Sequence, residues 1–212
     1  LPAIIVSVIA QSYISSMYSK YSKIKTKNGM TGREAAYSVL SLNDIRNVSL
    51  RQISGQLTDH YDPRSNTISL SEPDNTSIAS VAVAAHEAGH AVQHENGYFF
   101  AKLRMSLVPV ANFASSASWL LVIFGLVFNS PTLASIGVFI FLGVLAFQLV
   151  TLPVELNASS RAMDSLSRTH NLSDDELKGA RKVLTAAAFT YVAALLTALM
   201  QFIRLLSISR RD

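Results

Sequence analysis

MSLVPVANFASSASWLLVIFGLVFNSPTLASIGVFIFLGVLAFQLVTLPV, residues 105–154, runs for 50 positions without one Asp, Glu, Lys, Arg or His. A helix rises about 1.5 Å per residue, and about 20 residues cross the apolar core of a bilayer, so a single helix of this length is too long. Asn129-Ser130-Pro131-Thr132 interrupts the run with turn-forming residues. The stretch therefore reads as a transmembrane hairpin, with helices at 105–128 and 133–153. Buried soluble helices are the bland alternative, and the combined length argues against them.

Two further apolar stretches flank it. Residues 1–18 carry no charge and nearly suffice to span a bilayer. A signal peptide would read similarly, but the polar Gln11-Ser12-Tyr13-Ile14-Ser15-Ser16 that follows offers no convincing cleavage site. Val183–Ile203 is uncharged and rich in Ala and Leu, predicting a last crossing over 183–206. The composition agrees: 50% hydrophobic, only 15% charged, mean hydropathy +0.30, against about 25% charged residues in soluble domains. The expected fold is mainly α, a multi-pass membrane protein with about four transmembrane helices.

Lys and Arg orient it. Residues 19–104 hold ten of them and 154–182 hold five, whereas the turn at 129–132 holds none. The positive-inside rule places both polar segments in the cytoplasm. Arg204, Arg210 and Arg211 sit against that rule if the last helix crosses fully. The net charge of +4 is better explained by this topology than by nucleic acid. No basic stripe carries interleaved aromatics, so nucleic acid is not an expected partner. The chain has no cysteine, which excludes disulfides and thiolate metal ligands.

The polar segment 19–104 contains His86-Glu87-Ala88-Gly89-His90, an instance of H-E-x-x-H. On a helix the two histidines, four apart, share a face and can reach one metal ion, for which Zn²⁺ is the best match. Glu87 can then serve as general base toward a water polarised by that ion. The alanine-rich flanks favour a helix, capped by Asn75, Thr76 or Ser77 and stopped at Asn96-Gly97. A buried helix whose histidines merely satisfy backbone groups is the alternative. Upstream, Thr31 and Glu34 have capping-box spacing before a helix ending near Leu40. Val48–Ile53 and Thr67–Ser71 read as short strands, and Leu57–Asn66 between them ends in a turn signal. The second strand leads into the metal helix and suggests either an edge for an extended peptide or an ordinary structural hairpin.

A transmembrane hairpin returns the chain to the face it left. The first charged residue after it is Glu155, within Leu152-Pro153-Val154-Glu155-Leu156-Asn157-Ala158-Ser159-Ser160-Arg161-Ala162. A His₂Glu set would leave one coordination position open, as a catalytic zinc site requires. An ordinary interfacial glutamate fits the spacing equally well.

AVAAHEAGHAVQH, LPVELNASSRA and DHYDPRSNTISLS together resemble the YugP-like membrane zinc metallopeptidases of bacteria, over nearly the whole chain. The chain is also distantly similar to HtpX-type gluzincin proteases, in which a Glu-x-x-Ala-Asp helix supplies the third ligand. The resemblance implies one Zn²⁺ per chain on His86, His90 and Glu155, held in a small zincin-like layer with a short β-element. Ser159 stands at the aspartate position, and Asn157 or Asp164 are its weak substitutes. The resemblance further implies a membrane-embedded endopeptidase with a cytoplasmic-face site, acting on membrane or membrane-proximal polypeptides. An oligomer or accessory partner is compatible with this.

Arg161, His60 and Tyr61 are the candidates for stabilising an oxyanion. His60 and Tyr61 can equally close the local turn, and Arg161 can pair with an acid. His94 and His170 receive no role. Two other classes compete. A membrane scaffold with a structural zinc would need four protein ligands, with His94 completing the set. A transporter would place ionisable groups within its apolar runs, and these have none.

Overall fold

A computed structural model of the chain describes residues 2–209. It is mainly helical: α1 (Pro2–Tyr21), α2 (Gly32–Leu42), β1 (Ser49–Gln52), β2 (His60–Asp62), β3 (Thr67–Leu70), α3 (Ile78–Glu95), α4 (Phe99–Val127), α5 (Pro131–Arg168) and α6 (Asp174–Ser209). It divides into two compact units.

Among the described residues, the first unit comprises 2–10, 99–154 and 190–209. On α4, Ala111, Ala114, Ser118, Val122 and Gly125 are buried, a stripe of mostly small residues at helical spacing. Ser115 is exposed. The stripe lets backbones approach, as apolar helix pairs require. A Cβ built on Gly137 of α5 would lie 2.8 Å from the Ser118 carbonyl oxygen. Val122, Val138, Phe141 and Leu205 form the core. Large apolar side chains point outward, Phe139 being 75% and Phe113 66% exposed, which suits a hydrocarbon solvent rather than water.

By length and composition α4, α5 and α6 are each able to cross a membrane. Over its described residues α1 does not reach the same measure. The helices extend past their apolar runs. α4 begins at Phe99, α5 continues through the Glu155 segment to Arg168, and α6 begins at Asp174. Pro109 and Pro153 lie inside helices rather than ending them. Arg210 and Arg211 fall outside the described residues.

The second unit comprises residues 11–98 and 155–189. Thr31 caps α2 in a capping box: its hydroxyl accepts from the Glu34 N–H at 3.2 Å, and the Glu34 carboxylate accepts from the Thr31 N–H at 2.8 Å. The apolar side of α2, with Ala35, Ala36, Val39 and Leu40, packs against α3. Ser77 caps α3 by accepting from the Ser80 N–H at 3.1 Å, and Asn96 ends it before Gly97 at φ +61°. Alanines on nearly every side of α3 are buried. Ile68, Leu70, Ala162, Leu166, Val183 and Leu184 complete the surrounding core.

The sheet order is β1-β3-β2. β1 runs parallel to β3 with Leu50 opposite Ile68, and β2 runs antiparallel to β3 with Tyr61 opposite Ile68. The strand that leads into the metal-motif helix is therefore central, with both its sides paired. Of the two readings of that strand, the free edge is excluded. His60-Tyr61-Asp62 had the look of a turn but forms a strand. The Asp59 carboxylate holds it by accepting from the Ser71 N–H at 2.7 Å and the Ser71 hydroxyl at 2.8 Å.

Candidate metal centre

α3 presents His86 and His90 on one face, their rings 4.7 Å apart between centroids and nearly perpendicular. Glu155 meets them from α5. Its Oε2 lies 3.3 Å from His86 Nε2 and 3.4 Å from His90 Nε2. The approach depends on Gly89. A Cβ there would lie 2.5 Å from the Ala158 carbonyl oxygen, so α3 and α5 touch backbone to backbone beside the three donors. Any larger residue would hold the helices apart.

The outer nitrogens of both rings are also held. His86 Nδ1 lies 3.1 Å from the Ser159 hydroxyl, and His90 Nδ1 lies 3.0 Å from Gln93 Oε1. Gln93 Nε2 donates to Asn157 Oδ1 at 3.0 Å, and Arg161 Nε donates to the same oxygen at 2.8 Å. The Arg161 guanidinium also stands over the Tyr98 ring, 5.9 Å from its centroid.

One ligand atom from each of His86, His90 and Glu155 fits within a span of 4.8 Å. Two imidazole nitrogens and one carboxylate oxygen suit zinc, and Nδ1 atoms anchored by a hydroxyl and an amide leave both Nε2 atoms facing the carboxylate. The residues present thus fit the ion. Glu155 is 2% exposed, and a buried carboxylate needs a cationic partner. Around His90, burial opposes the charged ring, but the Glu155 hydrogen bond and the Glu87 and Glu155 charges outweigh it and raise its pKa. Glu87 is buried beside this group. Among the described residues no hydrogen bond or ion pair engages its carboxylate.

The remaining candidates lie elsewhere or are committed. The Tyr61 hydroxyl donates to Asn66 Oδ1 at 2.6 Å and lies 2.8 Å from His94 Nδ1. Burial, then the Glu95 and Asp62 charges, push its pKa up to about 12. His94 is thereby tied to the sheet and stands outside the three-donor group. His60 is exposed, its Nδ1 2.9 Å from the Thr58 carbonyl. Asp164 is exposed and pairs with Arg168 at 3.7 Å. His170 is exposed in the loop after α5, at φ +53°. Ser159, read as a departure from the gluzincin pattern, sets its hydroxyl beside His86 Nδ1. The sequence reading missed Gln93, although it sits three positions after His90 and so shares its helix face.

No solved structure matches the chain. A curated relative from Bacillus subtilis (strain 168), named "Putative membrane protease YugP", is 41% identical over 210 residues, covering 98% of this chain and 93% of that protein. Residues 1–210 match the family described as "Putative neutral zinc metallopeptidase". With a match over nearly its full length, the chain belongs to that zinc metallopeptidase family.

Proposed function

We propose that the protein is a membrane-embedded, zinc-dependent endopeptidase that cleaves membrane or membrane-proximal polypeptides at the cytoplasmic face. The single observation that carries this reading is the buried, uncommitted Glu87 carboxylate beside three converging donors. His86, His90 and Glu155 would hold one Zn²⁺. Bound there, the ion supplies Lewis acidity, which acidifies water and polarises a carbonyl. Glu87 takes the proton of the attacking water and returns it to the departing amine nitrogen. Ser159 and Gln93 keep the two imidazoles oriented. The apolar helices α4, α5 and α6 support a membrane setting, with α1 as a proposed fourth crossing, and the Lys and Arg distribution favours the cytoplasmic side.

A scaffold with structural zinc would require a fourth protein ligand. His94 was the one available, and its bond to Tyr61 argues against it. The test uses the full chain in detergent, an unfolded membrane protein as substrate, and zinc analysis. Wild type and Glu87→Gln should both carry about one zinc, and Glu87→Gln should lose on the order of 10²-fold or more in cleavage rate. Zinc on both proteins with equal cleavage rates would remove Glu87 from the chemistry. Absence of zinc from wild type would end the metallopeptidase reading.

A further inference from the structure

The short connection at 169–173 makes the adjoining parts of α5 and α6 antiparallel neighbours. Between them, within the second unit, lies a groove of about 460 Å³. Leu156 and Ala188 line its end far from the connection, Leu184 its middle, and Asp164 and Arg181 its near end. The far end belongs to the apolar parts of both helices. Leu156 stands two residues after the charge-free run 105–154, and Ala188 lies inside the charge-free run 183–203. Arg181 precedes Ala188 by seven residues, roughly 10 Å along the helix toward water, the distance over which hydrocarbon gives way to headgroups. Asp164 is paired with Arg168 at 3.7 Å. Among the described residues no hydrogen bond or ion pair engages Arg181. The groove thus has apolar walls at one end and an uncompensated guanidinium at the other.

We propose that this groove binds an anionic phospholipid, an acyl chain lying against Leu156, Leu184 and Ala188 and the phosphate meeting Arg181. A guanidinium matches phosphate with paired donors, and basic pockets between membrane helices are suited to such headgroups. A polypeptide substrate is the poorer occupant. Ser159 lines the groove and faces His86 Nδ1, the ring nitrogen turned away from Glu155. Glu87, His90 and Glu155 do not line it, so a peptide lying there would not reach the three donors. The inference rests on the membrane reading of α5 and α6 and is independent of the zinc chemistry.

The test titrates the full chain, purified in detergent, with phosphatidylglycerol or phosphatidylcholine and counts bound lipids by native mass spectrometry. Wild type should retain phosphatidylglycerol in preference to phosphatidylcholine. Arg181→Ala should weaken phosphatidylglycerol binding about fivefold, the usual effect of one basic residue at a membrane surface, and Arg181→Lys should keep most of the affinity. Lys182→Ala removes the same charge one residue away, from a side chain that does not line the groove, and should change little. Ser160 lines the groove from α5, and Ser160→Trp should obstruct it and weaken binding with all charges intact. Equal losses in Arg181→Ala and Lys182→Ala would mean diffuse surface attraction and overturn the site. Displacement of the lipid by inorganic phosphate would mean a site for the free anion, and displacement by an unfolded membrane protein would mean a substrate groove; either overturns the proposal. Wild type that holds both lipids equally overturns the site alone, whereas wild type that holds neither overturns it together with the membrane reading.

Discussion

Gly89 of α3 faces Ala158 of α5 so closely that a Cβ on the glycine would sit 2.5 Å from the Ala158 carbonyl oxygen. This approach lies one residue from His90 and three from Glu155 along their helices. The glycine inside the histidine motif is thus what lets a carboxylate on another helix reach both rings.

Gly89→Ala should therefore loosen the site although alanine is the better helix former. The substitution gains about 1 kcal/mol in helix propensity. The added methyl must displace a backbone carbonyl, and overpacking of this kind costs about 1–3 kcal/mol. We expect a lower melting temperature and at least tenfold weaker zinc binding. Full zinc affinity in Gly89→Ala would show that the contact is not what sets the His–Glu spacing.

Metal removal should destabilise the protein through Glu155. At a free zinc concentration of about 100 times Kd, binding adds roughly 2.7 kcal/mol, on the order of 5–10 °C for a chain of this size. Addition of a chelator should lower the wild-type melting temperature by about that amount. In Glu155→Gln the chelator should have little effect, because one ligand is already gone. An equal chelator shift in both proteins would argue that Glu155 holds no metal.

Ser159 touches His86 Nδ1 at 3.1 Å. Ser159→Ala should weaken zinc binding about 10-fold, near the lower end for partners of ligating histidines. Ser159→Asp, a stronger acceptor for the ring N–H, should bind zinc at least as tightly as wild type. If both variants weaken binding equally, the hydroxyl serves packing rather than the histidine.

Tyr61 gives a pH prediction. Its folded pKa, about 12, lies above the unfolded value near 10, chiefly because it is partly buried. A raised folded pKa contributes stability fully below pH 10 and loses it as pH rises toward 12. Tyr61→Phe should be less stable at neutral pH, by about 1 kcal/mol for the lost bonds to Asn66 and His94. It should also lose less stability than wild type between those pH values. Parallel alkaline denaturation curves for the two proteins would contradict this. Zinc content should not change.

The sequence by itself determined whatever depends on near neighbours. Charge-free runs announced α4, α5 and the apolar part of α6, because only long apolar segments tolerate hydrocarbon. The cap at Thr31, a cap among Asn75, Thr76 and Ser77, and the four-residue histidine spacing followed from local helix geometry. Tertiary structure decided the rest. Glu155 was equally readable as an interfacial carboxylate until α5 brought it within 3.3 Å of His86, 69 residues away in the chain. The sheet order also eluded local reading. Tyr61 and Asp62 form a strand only because β3 supplies their partners, and that pairing makes β3 central. Ser159 looked like a defect and proved to be a contact, because a hydroxyl at that distance can hold a ring nitrogen. Such relations hang on helix separations of a few tenths of an ångström. Those separations are set by what packs between backbones, here nothing larger than the hydrogen of Gly89.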